Sequence, residues 1–175
     1  MGLRPARTCR DLSKVAWTRF SKRKPSKSYV KAMPHNQVQI FDMGNSKLNY
    51  EVRFDLISET PVQVRDNALE SARQAANKYL EKLMPGNYYL KVLVFPHNVI
   101  RENKMILGAG ADRLQKGMRH SFGRPSDRGA RINPGQIVFS IRVMEKDEDK
   151  AVEAFRRAKI KMSGSYVVRK TRLVE

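Results

Sequence analysis

The chain has 175 residues, enough for one domain with tails, and its 41% apolar share supports a modest core. Its 35 Lys and Arg against 17 Asp and Glu give a formal charge of +18, an excess that repels itself unless a polyanion neutralises it, with nucleic acid the first candidate and an anionic membrane the second. No apolar run approaches the roughly 18 residues of a membrane span, and a single cysteine, Cys9, excludes an intramolecular disulfide and a thiol-only zinc cage.

At the N-terminus no apolar stretch follows the basic residues, so no secretory signal is expected. Gly2 suggests myristoylation, but Ala6 stands where that motif needs Ser or Thr. A cytoplasmic protein is expected. Residues 1–34 have no sustained period and contain Pro5, Pro25 and Pro34. Arg4, Arg7, Arg10, Arg19, Lys22, Arg23, Lys24 and Lys27 stand there almost unopposed, with Trp17, Phe20 and Tyr29 among them. That composition predicts an extended basic arm, ordered mainly by the RNA it binds, ahead of a single domain over 35–175. A short strand is expected over 37–41, then a turn at Met43-Gly-Asn-Ser. Over 50–57, Val52, Phe54 and Leu56 alternate with Glu51, Arg53 and Asp55, which predicts a strand with the charged set outward.

Thr60-Pro-Val-Gln63 reads as a helix start, with Thr60 as N-cap, Pro61 in the first helical position and Gln63 closing a capping box. Val64, Ala68, Ala72, Ala75, Ala76, Tyr79 and Leu83 then recur at steps of three and four, a flat face that can lie on a sheet. Pro85-Gly86 ends this helix. A buried strand over 88–95 and an extended run over 98–107 follow. A strand over 136–143, with Ile137, Phe139, Ile141 and Val143 inward, is expected to pair with that run as a two-stranded stalk. Asp147-Glu-Asp opens a second helix whose end carries Arg156, Arg157 and Lys159, matching the macrodipole at both ends. Val152 and Phe155 are expected inward, with Ala151, Ala154 and Ala158 lining the approach. Gly164 stops the helix, and 166–173 is a final strand. Runs of strands with two amphipathic helices predict an α+β fold.

Between the stalk strands the alternation stops. Gly108, Gly110, Gly117, Gly123 and Gly129 punctuate a stretch holding Arg113, Lys116, Arg119, Arg124, Arg128 and Arg131, opposed after residue 112 only by Asp127. Arg101 and Lys104 lie on its approach, and His120 and Phe122 within it. A loop longer than about 12–15 residues without periodicity is usually functional or disordered. Guanidinium groups on flexible hinges, interleaved with rings, suit phosphates and exposed bases. The expected ligand is RNA, also met by the C-terminal cations Arg156, Arg157 and Lys159.

Catalytic patterns fail. Gly108-Ala-Gly110 follows a strand-like run, but Arg113 occupies the third position of the dinucleotide fingerprint, and no P-loop lysine follows. His35, His97 and His120 are too scattered for a metal site. Of the loop's acids, Asp112 and Asp127, Asp112 is expected to pair with a neighbouring arginine or cap a turn. No enzyme, cofactor or small-molecule substrate is expected. An RNA-modifying enzyme would need a pocket or metal ligands. A chromatin-like DNA-binding protein would need a reader helix, whereas both helices here look core-facing.

The run Ala109-Gly-Ala-Asp-Arg-Leu-Gln-Lys-Gly-Met-Arg-His-Ser-Phe-Gly-Arg-Pro closely resembles the signature of a large-subunit ribosomal protein family, the archaeal and eukaryotic L-ten-e family equivalent to bacterial L-sixteen. Gly2-Leu-Arg-Pro-Ala-Arg, Ile40-Phe-Asp42, Ala68-Leu-Glu-Ser-Ala-Arg73, Ala76-Asn-Lys-Tyr79, His97-Asn-Val-Ile-Arg-Glu-Asn-Lys-Met105 and Glu153-Ala-Phe-Arg-Arg-Ala-Lys159 extend it over almost the whole chain. An end at Glu175, short of the eukaryotic extension, suggests the archaeal type. The resemblance implies a hammerhead-like β-core with two packed helices, docked on large-subunit rRNA near the peptidyl transferase centre and the 5S rRNA region, among neighbouring ribosomal proteins. It also implies that the loop over 108–132 helps position tRNA, with peptide-bond chemistry left to RNA.

Overall fold

Alternation over Val52–Ser58 buries Val52, Phe54 and Leu56, and this strand, β2, has antiparallel partners on both sides. The computed structural model describes residues 33–102 and 124–173. Around β2 the chain order is β1 (Asp42–Gly44), β3 (Val62–Arg65), α1 (Asp66–Leu83), β4 (Tyr89–Val92), β5 (Asn98–Glu102), β6 (Arg124–Ile132), β7 (Ile137–Val143), a 3-10 turn (Glu145–Asp147), α2 (Glu148–Lys159) and β8 (Tyr166–Arg172). The strands form two antiparallel sheets, a five-stranded one in the order β1-β4-β7-β2-β8 and a three-stranded one in the order β3-β6-β5. Two helices with antiparallel sheets make an α+β fold.

Helix α2 lies against β2, β7 and β8, while α1 packs on α2 and reaches β3 and β6. Buried Ala72 and Ala76 on α1, and Ala151, Ala154 and Ala158 on α2, let the two backbones approach closely. One apolar core results. It takes Phe54, Leu56, Phe139 and Ile141 from the large sheet, Val62, Val64, Ala130 and Ile132 from the small one, and Leu69, Leu80 and Phe155 from the helices.

Several expectations are corrected. The first helix begins at Asp66, not at Pro61, because Val62–Arg65 pairs with residues 129–132 of β6 and the ladder outweighs the capping-box pattern. Its N-cap is Arg65, without a side-chain cap, and the acid at Asp66 favours the helix's positive end instead. Leu83 and Val152 are exposed, and Leu69 and Leu80 fill the place expected of Leu83. The first strand falls at Asp42–Gly44 and not over 37–41. There the Asn36 side chain bonds both the carbonyl and the amide of Val38, diverting the backbone from a ladder. Gly44, at φ 85°, needs its missing side chain, since a Cβ would lie 2.1 Å from the Tyr88 carbonyl oxygen.

The stalk is also built differently. β5 pairs with β6, whereas β7 lies in the other sheet between β4 and β2. Arg124, Arg128 and Arg131 therefore belong to a strand. Pro125, Asp127 and Gly129 hide this in the sequence, but partners on both flanks and buried Ala130 and Ile132 hold the ladder. Asp55 departs from its expected outward exposure and is only 1% exposed.

Candidate nucleic-acid interface

β5 and β6 bring the two ends of the basic segment together at one end of the small sheet, with Glu102 opposite Arg124 and Arg101 opposite Pro125. Polar ties fix its base. Arg65 donates to Asp127 at 2.8 Å across the β3–β6 ladder, and Arg128 Nε donates to the Pro34 carbonyl at 2.6 Å. Ser126 Oγ donates to the Ile100 carbonyl at 3.1 Å. Gly129 leaves room for Gln63, whose Nε2 would stand 3.0 Å from an added Cβ. Arg131 is half-buried, and desolvation lowers the pKa of its guanidinium. Arg128 and Asp127 thus brace the hairpin. Arg4, Arg7, Arg10, Arg19, Lys22, Arg23, Lys24, Lys27, Lys104, Asp112, Arg113, Lys116, Arg119 and His120 lie outside the described residues.

At the end of α2, one acid organises two cations. Glu153 accepts from Arg156 at 2.6 and 2.8 Å and from Arg157 at 3.0 Å. The Arg156 hydrogen bond, followed by that of Arg157, holds the Glu153 carboxyl down at about 2. Arg157 also lies 4.1 Å from the centroid of the Tyr79 ring, which fixes its plane. Nearby, Lys170 pairs with Glu148 and Arg172 with Glu145, tying β8 to the start of α2. Lys161 and Arg169 are exposed and have no ion pair among the described residues. Of the expected C-terminal cations, Arg156 and Arg157 come together on one helix face, with half-buried Lys159 one turn from them.

A third basic surface escaped the sequence reading. On the face of the large sheet away from the helices, the ladders set Arg53 opposite Arg142 and Thr171, and Asp55 opposite Ser140 and Arg169. They also place Tyr89 beside Arg142 and Lys91 beside Ser140. Arg142 lies 5.5 Å from the Tyr89 ring centroid. Tyr89 donates to Asp42 at 2.5 Å, and Lys91 stands 3.4 Å from the same carboxylate. The Tyr89 bond, with Lys91's charge, keeps the Asp42 carboxyl below its ordinary value. The signal was present as cations alternating with core residues in three strands. Only the pairing of those strands, which no single strand encodes, brings them together.

His35 and His97 bond the Asn36 and Phe95 carbonyls, respectively, as turn residues. Among the described residues no group of three His, Cys, Asp or Glu side chains could hold a metal, and no helix is long and apolar enough to cross a membrane.

A model of the family described as ribosomal protein L16p/L10e matches residues 17–169. The large ribosomal subunit protein uL16 of Thermofilum pendens is 47% identical over 163 residues, covering 93% of each chain. The protein of the same name from Staphylothermus marinus is 44% identical over 163 residues, 93% of this chain and 90% of its own. That of Archaeoglobus fulgidus is 43% identical over 147 residues, 83% of this chain and 84% of its own.

Proposed function

This chain belongs to the ribosomal protein L16p/L10e family, and from that premise we propose that it docks on large-subunit rRNA near the peptidyl transferase centre and helps position tRNA through residues 108–132. It is a structural constituent of the large ribosomal subunit and not an enzyme. The observation that carries the finer reading is the β5–β6 hairpin. Its braced base holds the two ends of a basic, glycine-rich segment side by side at one end of the small sheet, while β6 gives Ala130 and Ile132 to the core. A long charged segment projected from a rigid scaffold is suited to a partner's backbone. The two-sheet, two-helix arrangement supports the hammerhead-like core that the family resemblance implies.

In this reading Arg4, Arg7, Arg10, Arg19, Lys22, Arg23, Lys24 and Lys27 neutralise rRNA phosphates along the arm, toward the 5S rRNA region and neighbouring ribosomal proteins. Arg101, Lys104, Arg113, Lys116, Arg119, His120, Arg124, Arg128 and Arg131 serve the tRNA side. Arg156, Arg157 and Lys159, with exposed Lys161, form a third contact. Counterion release supplies much of the free energy and offsets the entropy of ordering. The test is binding of the full chain to large-subunit rRNA fragments across a salt series. Log affinity is expected to fall steeply with log salt, by about 0.7–0.9 per phosphate neutralised. A flat response would remove electrostatic docking.

A further inference from the structure

We propose that the outer face of the five-stranded sheet holds one unstacked guanine of RNA, its donor edge on Asp55 Oδ1 and its phosphates on Arg53 and Arg142. This rests on the RNA-binding reading above and adds a base-specific site to it.

Asp55 is a misfit for a sheet. Aspartate is depleted from strands, and a buried carboxylate is retained only where its oxygens are satisfied. Here the side chain is 2% exposed. Oδ2 accepts from Arg53 Nε at 2.9 Å and from Nη2 at 2.8 Å, while buried Oδ1 has no hydrogen-bond partner. Such a group in a native fold calls for an explanation. Packing supplies none, because Asp55 points away from the core formed by its neighbours Phe54 and Leu56. Asp55 instead lines a cavity of about 100 Å³ together with Arg53, Tyr89, Lys91 and Arg142 and the apolar Leu93 and Ile137.

The surroundings select the ligand. An ionised carboxylate only accepts, so whatever meets Oδ1 brings N–H or O–H donors. The ladders set Arg53, Lys91, Arg142 and Arg169 around this one acid, and the neighbouring Asp42 is already engaged by Tyr89 and Lys91. A partner protein's arginine could satisfy Oδ1 but would enter a cluster of four like charges. A nucleotide brings donors on its base and negative charge on its phosphates, answering both requirements. Among the bases, guanine sets N1–H and the 2-amino group side by side. Adenine, cytosine and uracil each put an acceptor next to the donor, which the carboxylate repels. Unstacked bases are read in this way on their Watson–Crick edge, often beside rings and guanidinium planes, and Tyr89 with Arg142 provides both. Arg53, whose side chain is 35% exposed, holds Asp55 Oδ2 through Nε and Nη2 and keeps Nη1 for a phosphate.

The test uses the full chain and short single-stranded oligouridylates carrying one central guanine, adenine or inosine, with affinity read by fluorescence anisotropy at fixed salt. The guanine oligomer is expected to bind about tenfold tighter than the adenine one, with inosine, which lacks the 2-amino group, in between. Asp55→Asn should level the three while total RNA affinity holds or rises, and Arg142→Gln should weaken all three by a similar factor. The wild-type comparison needs no variant, so a folding defect in Asp55→Asn leaves the question decidable. Tight but equal binding of guanine and adenine oligomers overturns this site and leaves general RNA docking standing. Absence of binding to any oligomer overturns both. An arginine-bearing peptide captured through Asp55, without guanine preference, overturns the RNA assignment in favour of a protein partner.

Discussion

The large sheet is sealed under two helices, with Phe54, Leu56, Phe139, Ile141 and Phe155 all nearly or fully buried. The small sheet meets the same core through Val62, Val64, Ala130 and Ile132 and is tied further by polar contacts, Arg65 to Asp127 and Arg128 to the Pro34 carbonyl. Apolar burial is non-directional and collective, so it fixes whether the protein folds. Hydrogen-bonded ion pairs are directional and individually modest, so they fix where a hairpin points. The molecule thus separates overall stability from the placement of the β5–β6 hairpin, and losses in one region should leave the other largely intact.

The largest effect is expected from Phe155→Ala. Phe155 is fully buried between α2 and the large sheet, and its removal should cost about 3–5 kcal/mol. Chemical denaturation should show a lower midpoint with cooperativity kept, and hydrogen exchange should accelerate in both sheets together. Exchange confined to α2 would break the claim of one shared core. A smaller, local effect is expected from Asp127→Asn, which leaves the Arg65 guanidinium without this charge partner while preserving shape. Stability should fall by about 1 kcal/mol. The β5–β6 amides should exchange faster while those of β2 and β7 keep their protection. Equal acceleration in both sheets would contradict the division of labour.

The smallest effect is electrostatic and acts through α2. The folded value for Glu153, about 2, lies below its ordinary 4.5, so its pairs with Arg156 and Arg157 stabilise fully above 4.5. That contribution is lost as pH falls from 4.5 toward 2. Asp66 runs the opposite way, because burial raises its pKa. Its contribution is full below 3.8 and declines as pH rises through the folded value. Thermal melting across this range should show a shallower acid limb for Glu153→Gln than for wild type, and identical limbs would remove the pairing from the account.

Much of this architecture was legible in the sequence, for reasons particular residues make plain. Val52, Phe54 and Leu56 alternate because one face of β2 is buried, and Ala151, Ala154, Phe155 and Ala158 recur at helical spacing because α2 lies on the sheet. What failed depended on pairing. Thr60-Pro-Val-Gln63 carries a true helix-start pattern, overridden by a ladder to β6 that lies far along the chain. Residues 124–132 read as loop because Pro125, Asp127 and Gly129 disfavour strands, yet two flanking partners and buried Ala130 and Ile132 hold them in one. The interface divided similarly. Arg156 and Arg157 were found as a helix-end pair, whereas Arg53, Lys91 and Arg142 meet only after β2, β4 and β7 are laid side by side.

The strand character of β6 also sharpens the decisive measurement. Replacing 108–132 by a turn would remove β6 and with it the small sheet, so the replacement is confined to Gly108–Gly123, leaving β5, β6 and the Arg65–Asp127 tie intact. Large subunits reconstituted with this protein are to be assayed for incorporation, tRNA affinity and elongation rate. Normal incorporation with weakened tRNA binding and slowed elongation is the expected result. Charge-neutral substitutions at Arg113 and Arg119 should give a milder form of the same defect. Wild-type tRNA affinity and elongation would contradict tRNA positioning and leave the protein as an rRNA scaffold alone.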